Sequence, residues 1–521
     1  MSFVLASHST AIQDYRSKYE STLPLPPEKI QHLRLKYFKQ IIPGFEVAPA
    51  PIKQPDGPLP EEPKICIIGA GMAGLFSALL LQKNFKNIQI LECQNRVGGR
   101  VHTQYFEGDK EQRLYVELGA MRLPETKEHR LVFDTIDYLN HRITHEKDKI
   151  HENFDKGIKL LMQFDEHSVY SYLRENLDIP EPYDLDETIA AIEMTESATG
   201  LFRLALVEAV MDAYTFLADS QKWKTIDYGM QRFPDAFKLV YKQEEESNGL
   251  GHVRIKYNHK VYKLEYVHKN NKVHVHWKEN GKSIKDIFDK VIVTCPLGVV
   301  RQWDLLGLDK NDELYHKRRA IRELNYDKSA KLFLKFKTRF WENGTNPIIG
   351  GSSSTDLPIR TVIYPSYYVD NKIPTDNPAI LLGSYTWAND AEKYAPYSQK
   401  ENANLCAENL KILHGREVVE ENLVTEEFSS IYWPNDTTAV GAFALFGPAQ
   451  FTNLMYPMLK PMNNIYWAGE HTDIHHAWIV GALNSAVRVV KEIMVQLDME
   501  RKWNELKEHE LLKNWHGNVK I

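Results

Sequence analysis

The chain of 521 residues has little cysteine, no long apolar run and no long run of charges of one sign. Its four cysteines form no Cys-x-x-Cys pair and no cysteine–histidine cluster, so we expect buried free thiols and no metal centre. No segment approaches the roughly 18 apolar residues of a membrane span. The formal net charge of −6, spread over scattered charges, disfavours a nucleic-acid partner.

The N-terminus lacks the features of a secretion signal, because no basic segment or long apolar stretch precedes Asp14 and Arg16. We therefore expect a cytoplasmic protein, although a processed precursor would have the same sequence. With 43% hydrophobic residues, a chain of this length exceeds what one core supports. We expect two or three packed lobes that can enclose a buried site.

Hydrophobic periodicity divides the chain into regions of different secondary structure. Residues 9–40 have apolar residues at helical spacing, and the proline-rich stretch that follows to Pro63 predicts an extended linker. Residues 131–222 favour helices, including one over 201–210. The predicted strands cover residues 65–68, 88–91, 253–257, 273–277, 291–293, 331–336, 379–385 and 465–470, and a final helix is expected at about 480–497.

A glycine-rich turn follows the first predicted strand and opens a helix. In Gly69-Ala70-Gly71-Met72-Ala73-Gly74, the first glycine permits a tight turn, the second lets the backbone approach a pyrophosphate, and the third lets the helix pack closely on the strand. The helix N-terminus at Met72 and Ala73 offers N–H groups and a positive dipole end to phosphates. The next strand ends at Glu92, where an acidic residue accepts ribose hydroxyls. The segment predicts a dinucleotide site without a 2′-phosphate.

Further sequence blocks follow in a fixed order. The turn Arg96-Val97-Gly98-Gly99-Arg100 comes just after the ribose acid, and FAD-type folds often carry such a turn near the diphosphate. The other blocks are Gly119-Ala120-Met121-Arg122, Asp227-Tyr228-Gly229-Met230 and Tyr466-Trp467-Ala468-Gly469-Glu470-His471-Thr472. Together they resemble the flavin amine oxidase superfamily, and within it they are most similar to the L-amino-acid oxidases. The resemblance runs from about Lys64 to Leu497.

This resemblance implies an α/β fold with a Rossmann-like FAD-binding domain of the amine oxidase type, a mixed-sheet substrate-binding domain and a helical lobe. The expected boundaries are 64–118, 230–318 and 461–497 for the FAD-binding domain, 119–145 and 319–460 for the substrate-binding domain, 146–229 for the helical lobe, 1–63 for N-terminal helices and linker, and 498–521 for a helical tail. The relatives also suggest a homodimer.

The resemblance also implies how the cofactor is held. No cysteine lies between Trp433 and Gln450, where the monoamine oxidases attach their flavin, so noncovalent FAD is expected. Glu470 would accept from the ribityl or ribose side of FAD. The implied contacts of FAD are Gly69, Gly71, Met72, Ala73, Gly74, Glu92, Arg100, Gly119, Ala120, Met121, Arg122, the backbone of Val261 at the adenine, Gly469, Glu470, Trp478 and Ile479.

For the substrate, the resemblance implies a carboxylate clamp made of Arg122 and Tyr364. A guanidinium and a carboxylate form two parallel charge-assisted hydrogen bonds, and a phenol adds a third donor. The alternatives are a structural ion pair for Arg122 and ordinary packing for Tyr364. Lys331 would hold a water near flavin N5 and activate oxygen, unless it is an ordinary strand lysine.

Aromatic residues are the implied walls of the substrate pocket. Phe443 and Trp478 take the positions that flank the substrate amine, with Ala477 beside them, and core packing is their alternative. Trp387 and Trp223 are candidates for shaping side-chain selectivity, although Trp223 is equally compatible with helix packing. At Ala477 to Ile479 a helix begins whose dipole would stabilise negative charge on the reduced flavin.

The activity implied is oxidation of L-amino acids by FAD and dioxygen, giving 2-oxo acids, ammonia and hydrogen peroxide. The alternatives are an amino-acid dehydrogenase with another electron acceptor, a monoamine or polyamine oxidase, and a flavin-bearing interaction protein. The stretch between Arg122 and Met230 is shorter than in the secreted venom oxidases, and their histidine near the substrate has no counterpart between Val207 and Trp223. The preferred side chain therefore stays open.

Overall fold

The computed structural model describes residues 62–106, 113–126, 128–139, 161–179, 184–195, 200–216, 222–308, 312–343, 347–366, 368, 373–513 and 515. The helices and linker predicted for residues 1–63 lie almost wholly outside these described residues. Within them, no helix is long and apolar enough to cross a membrane.

Strands in the described residues are β1 Ile65–Ile68, β2 Asn87–Leu91, β3 Thr103–Tyr105, β4 Tyr115–Glu117, β5 Leu123–Pro124, β6 Trp223–Lys224, β7 His252–Lys256, β8 Lys260–Val267, β9 Lys272–Glu279, β10 Lys282–Phe288, β11 Lys290–Val293, β12 Asp304–Gly307, β13 Tyr326–Asp327, β14 Ser329–Phe336, β15 Ser352–Ser354, β16 Thr361–Ile363, β17 Ala379–Trp387, β18 Leu423–Tyr432, β19 Phe443–Ala444 and β20 Ile465–Trp467.

The α-helices are α1 Met72–Gln82, α2 Arg130–Leu139, α3 Val169–Asn176, α4 Leu185–Thr195, α5 Leu206–Phe216, α6 Arg232–Asn248, α7 Leu297–Val300, α8 Asp312–Glu323, α9 Ala388–Glu392, α10 Gln399–His414, α11 Arg416–Asn422, α12 Tyr456–Leu459, α13 Ile479–Gln496 and α14 Glu500–Lys507.

The first sheet is parallel, in the order β20-β11-β1-β2-β7. Its central strand β1 is buried along its whole length, as expected for an apolar strand that helices cover on both faces. Every residue of α1 is buried, and α1 packs against α13 over this sheet. This arrangement confirms the predicted Rossmann-like fold.

A second sheet has the order β10-β9-β8-β12. Strands β9 and β10 form a tight hairpin, because Glu279 and Lys282 pair directly and the two residues between them, Asn280 and Gly281, both have positive φ angles (49° and 77°). Asparagine followed by glycine is the preferred sequence for such a turn. The hairpin fixes the register of β9 against its neighbours.

The third sheet is antiparallel, in the order β15-β16-β17-β14-β18. Alternation divides β14 between two faces: Ala330 and Leu332 pack into a core with α10, whereas Lys331 faces the opposite side. Lys331 lies directly across from Tyr385 on β17, and Ser329 from Trp387. The sheet therefore presents a row of polar and aromatic side chains to one side.

Between residues 130 and 216 the described chain is helical, as predicted, and contains α2 to α5. The helix predicted over 201–210 is wrong in detail, because a 3₁₀ turn over Leu201–Arg203 precedes α5, and Gly200 before it has a φ of 95°. The strand predicted over 465–470 ends at Trp467, since Gly469 has a φ of 126° and a 3₁₀ turn follows.

Candidate active site

A large cavity extends from the carboxyl edge of the parallel sheet to the polar face of the antiparallel sheet. It contains about 1590 Å³ of space free of protein atoms, counted out to its open mouth. One continuous lining joins the glycine turns of the parallel sheet to residues of the antiparallel sheet. The cavity can therefore contact an extended ligand along both sheets.

The glycine turn between β1 and α1 lines one end of the cavity. Gly69 has a φ of 107°, which favours glycine. A Cβ on Gly74 would lie 2.0 Å from the Gly69 carbonyl oxygen, so only glycine permits this close approach of helix and turn. A Cβ on Gly71 would meet no atom within 4 Å and would project into open space, as expected for a residue that leaves room for a ligand. Gly69, Gly71, Met72 and Ala73 line the cavity, whereas Gly74 lies behind it.

Glu92 lies at the end of β2 and lines the same end of the cavity. Its carboxylate accepts a hydrogen bond from the backbone N–H of Ala70 (2.7 Å) and another from Gln94 (2.8 Å). These bonds orient the carboxylate towards the glycine turn. Oε1 also accepts from the Cys93 thiol (3.4 Å), whereas Oε2 has one partner and retains a lone pair, so Glu92 can still accept a ribose hydroxyl.

Arg100 and Glu470 form a buried pair along the cavity wall. Nη1 of Arg100 donates to Oε1 of Glu470 (2.8 Å) and to the carbonyl of Ala442 (2.9 Å). Burial raises the pKa of Glu470, but Arg100, His471 and His476 together more than offset this shift and leave the pKa below its ordinary value. Glu470 also accepts the backbone N–H of Ala477 (3.1 Å). It therefore ties the second glycine turn to the start of α13.

The residues along this wall fit FAD. The Gly71 cradle suits a diphosphate, Glu92 suits a ribose, and the N-terminus of α13 at Ile479 offers N–H groups and a positive dipole end to a flavin. Gly119, Ala120, Met121, Gly469, Ala477, Trp478 and Ile479 also line the cavity. Cys93 and Cys295 line it as free thiols. Val261 does not line it and its side chain packs in the core, so the contact of its backbone with adenine stays a prediction.

At the other end, Arg122 lies half-buried among groups from distant segments. Burial lowers the pKa of its guanidinium, while Tyr385 and Asp212 partly offset that shift. Burial also raises the pKa of Asp212 to about 6, and Arg122 opposes this change. All three side chains line the cavity. The arrangement provides a cation, a carboxylate and a phenol in one water-poor space.

Lys331 reaches the cavity from β14. Its Nζ donates to the carbonyls of Glu117 (2.9 Å) and Gly119 (2.6 Å), and lies 4.9 Å from the centre of the Tyr385 ring. Burial lowers the pKa of Lys331 to about 7, with Arg122 adding to the shift. The protonated amine has three donors, so one remains for a water in the cavity.

Aromatic rings form most of the remaining wall. Trp387 and Phe443 meet edge to face with centroids 5.8 Å apart. Trp478 contacts His129 edge to face at 5.1 Å. Trp223 does not line the cavity but stacks on Trp478 at 6.2 Å, and the Arg122 guanidinium lies 4.9 Å from its ring centre. Trp223 thus supports two wall residues from behind.

The structure contradicts the prediction for Tyr364. This residue is 2% exposed and packs with Trp341 in the core on the far side of the antiparallel sheet, outside the cavity lining. Its hydroxyl accepts from Ser353 (3.2 Å) and is hydrogen-bonded to His414 (3.0 Å). Tyr385 supplies the phenol next to Arg122 instead.

Sequence reasoning missed three residues at the substrate end: Asp212, Tyr385 and His129. Tyr385 shares a face of β17 with Trp387, so strand alternation could have identified it once Trp387 was chosen. His129 pairs through Nδ1 with Thr126 (2.9 Å), and burial lowers its pKa well below the ordinary value. Neither His129 nor Asp212 carries a local sequence signal.

Comparison with known proteins agrees with this geometry. A family model described as flavin containing amine oxidoreductase matches residues 72–181 and 149–494. The protein named "Putative bifunctional amine oxidase" of Dictyostelium discoideum is 30% identical over 512 residues, covering 82% of this chain but only 46% of that relative. L-amino-acid oxidase 4 of Hebeloma cylindrosporum is 27% identical, covering 95% of this chain and 92% of the relative.

An L-amino-acid oxidase of Siganus canaliculatus is 29% identical over 85% of this chain and 87% of the relative. Among solved structures, wild-type putrescine oxidase bound to putrescine has a TM-score of 0.60 at 16% identity, covering 83% of this chain and 99% of that chain. At this level of identity the likeness shows the fold.

Proposed function

Because the chain belongs to the flavin containing amine oxidoreductases and binds FAD noncovalently, we propose that it oxidises L-amino acids to 2-oxo acids, with release of ammonia and hydrogen peroxide. The observation that supports this proposal is the half-buried Arg122 in the cavity wall, beside Tyr385 and Asp212. A guanidinium binds a carboxylate through two parallel charge-assisted hydrogen bonds. A substrate α-carboxylate fits this recognition.

The carboxylate would bind between Arg122 and the hydroxyl of Tyr385. A bidentate guanidinium–carboxylate pair fixes both the position and the plane of the carboxylate. The Cα hydrogen can then have only a few orientations in the cavity, and the aromatic rings of Trp387 and Phe443 restrict these further. Orientation of this kind lowers the entropy cost of the reaction.

FAD held by these residues would supply the two-electron acceptor for the Cα hydride, with dioxygen as the final electron acceptor. The protein must bind the substrate with its amine neutral, exclude water and hold positive charge near the reacting oxygen. Lys331 is the candidate for that charge, because it reaches the cavity and is held by two carbonyls. His129 lies at the wall as a neutral imidazole at neutral pH, since its pKa is strongly lowered.

The test is a product assay on the FAD-loaded protein with glycine, each of the nineteen chiral L-amino acids and their D-enantiomers. We expect peroxide, ammonia and 2-oxo acid in equal amounts from some L-amino acids and from none of the D-enantiomers. Turnover with a quinone or a dye but without peroxide would indicate a dehydrogenase. No product from any amino acid would refute the proposal.

A second candidate is oxidation of diamines or polyamines, which Asp212 favours because a carboxylate in the cavity attracts an ammonium group. The substitution Asp212→Asn separates the two functions. A diamine should lose at least tenfold in kcat/KM, whereas an α-amino acid should lose little or bind more tightly, since Asp212 competes with its carboxylate for Arg122. If kcat/KM falls for amino acids and not for diamines, then Asp212 neither attracts the ammonium group of a diamine nor competes with a substrate carboxylate for Arg122.

A further inference from the structure

A group of ligand-type side chains lies on the second sheet, outside the cavity lining. Alternate residues of β9 point to opposite faces. Val273 and Val275 are buried in the core, so His274 and His276 share the other face. Glu265 on β8 lies directly opposite His274 in the strand register. One ligand atom from each of these three residues lies within 4.8 Å of the other two.

We propose that Glu265, His274 and His276 bind one divalent transition-metal cation of the zinc type, with water completing its coordination. Oε2 of Glu265 lies 2.7 Å from Nε2 of His276 and 3.8 Å from Nδ1 of His274. A tetrahedral Zn²⁺ with bonds of about 2.0–2.1 Å holds its ligand atoms about 3.4 Å apart. The two observed distances bracket this value, so small rotations of the side chains suffice.

The ligand set selects the class of metal. Two imidazoles with one carboxylate suit zinc, copper, nickel and cobalt, whereas calcium and magnesium require oxygen ligands throughout. Three protein ligands leave one position of a tetrahedral ion for water. The side chains are 14–29% exposed, so an ion can enter from solvent without opening the core.

The surroundings of Glu265 keep one of its oxygens directed to the histidines. Nζ of Lys263 lies 2.6 Å from Oε1 of Glu265 and 3.4 Å from a carboxylate oxygen of Asp304. Asp304 would therefore balance the charge of Lys263 when Glu265 binds a metal. On β12, Gly307 is the register partner of Glu265, and a Cβ there would lie 2.6 Å from Cγ of Glu265. Glycine at this position leaves room for the carboxylate.

On the side of β9 away from β8, the cationic neighbour of the site is Lys285 of β10, the register partner of His276. It is exposed, so solvent and salt screen its charge. A bound ion would link β8 to β9. Because the three ligands come together only in the folded sheet, binding would stabilise the folded protein in proportion to the metal concentration.

The experiment is calorimetric titration of the full-length, FAD-loaded protein with Zn²⁺ after chelator treatment and dialysis. We expect one ion per chain at micromolar affinity or tighter, and a thermal unfolding midpoint that rises with added Zn²⁺. His274→Ala and His276→Ala should each weaken binding at least tenfold, and Glu265→Gln should weaken it less. With Co²⁺ as the probe, the intense visible absorption of a tetrahedral complex should be present only in protein that retains both His274 and His276.

The matched control is His252→Ala. His252 also pairs with a glutamate, at 2.7 Å from Glu245, but has no second histidine in a described metal-type cluster. This variant should bind Zn²⁺ as the unaltered protein does. His276→Gln, which retains a hydrogen-bonding amide, tests the same loss if an alanine variant fails to fold. Equal Zn²⁺ affinity in the variants and the unaltered protein, or no saturable binding at all, would overturn the proposal.

Discussion

The two ends of the cavity recognise their ligands by different means. At the end formed by β1 and α1, the continuous segment from Gly69 to Glu92 contributes a glycine turn that leaves room for a ligand and a carboxylate that faces this turn. At the other end, three charged groups with shifted pKa values come from separate parts of the chain: Lys331 is buried, and Arg122 and Asp212 are half-buried. The first end is suited to one fixed cofactor, and the second end can change its substrate through single side chains.

The largest effect is expected from a methyl group in the glycine turn. Gly74→Ala should prevent assembly of FAD-loaded protein, because its Cβ would lie 2.0 Å from the Gly69 carbonyl. Overpacking of this kind costs about 1–3 kcal/mol or more. Gly71→Ala has no clash within 4 Å, so it should fold but bind FAD at least tenfold more weakly.

Thermal unfolding and flavin fluorescence titration measure these two effects separately. If Gly74→Ala binds FAD normally, or if Gly71→Ala does so, then the backbone does not determine cofactor binding at this end.

The next effect is expected at Lys331, where positive charge would stabilise the negative charge that develops on oxygen. Lys331→Met should slow the reaction of the reduced flavin with dioxygen at least tenfold and change flavin reduction by substrate much less. Since burial lowers the pKa of Lys331 to about 7, its charge is present below that pH and is lost above it. Reoxidation in the unaltered protein should therefore slow as pH rises through about 7, and this step should be absent from the variant.

Lys335→Met is the matched control for this experiment. Lys335 lies on the same strand but pairs with Glu427 at 2.6 Å and does not line the cavity. Its substitution should leave reoxidation unchanged. A pH step that persists in Lys331→Met would assign the step to another group.

A smaller effect is expected from Asp212. As pH falls through about 6, Asp212 takes up a proton and no longer neutralises Arg122. The affinity for an unreactive carboxylate such as propionate should then increase severalfold, as measured by perturbation of the flavin spectrum. Asp212→Asn should bind propionate tightly over the whole range without this step. A surface pair serves as control, since Asp227→Asn beside Arg113 (3.0 Å) should retain the step.

The smallest effect compares two tyrosines. Tyr385→Phe should lower kcat/KM for amino acids by roughly two- to twelvefold, the equivalent of one hydrogen bond of about 0.5–1.5 kcal/mol. Tyr364→Phe should leave kcat/KM unchanged and lower the free energy of unfolding by about 1 kcal/mol, because its hydroxyl bonds only within the core. Steady-state kinetics and denaturant unfolding distinguish them, and the reverse pattern would restore Tyr364 to the substrate site.

The contrast between the two ends of the cavity explains which parts of the site the sequence could predict. The roles of Gly69, Gly71 and Glu92 follow from their spacing along a continuous segment, so the cofactor end and the parallel sheet were predictable. Tyr364 was misassigned because it follows the end of β16, where strand alternation no longer fixes which way a side chain points.

Asp212 could not be found in this way. It lies on α5 among apolar residues, and only the packing of that helix against the cavity brings it near Arg122. The metal-type ligands on β8 and β9 are a similar case, because the antiparallel register of these two strands, rather than sequence spacing, brings Glu265 to His274. Contacts between distant segments require the three-dimensional structure.

The central claim, that Arg122 binds the substrate carboxylate, is tested most directly by anaerobic mixing of Arg122→Ala with a substrate amino acid in a stopped-flow spectrometer. We expect the unaltered protein to lose its oxidised flavin absorbance rapidly, and the variant to need roughly 10- to 150-fold more substrate, the equivalent of about 1.5–3 kcal/mol. Arg203→Ala, which removes an arginine outside the cavity lining, should behave as the unaltered protein. Equal reduction of Arg122→Ala and the unaltered protein at every substrate concentration would contradict the account.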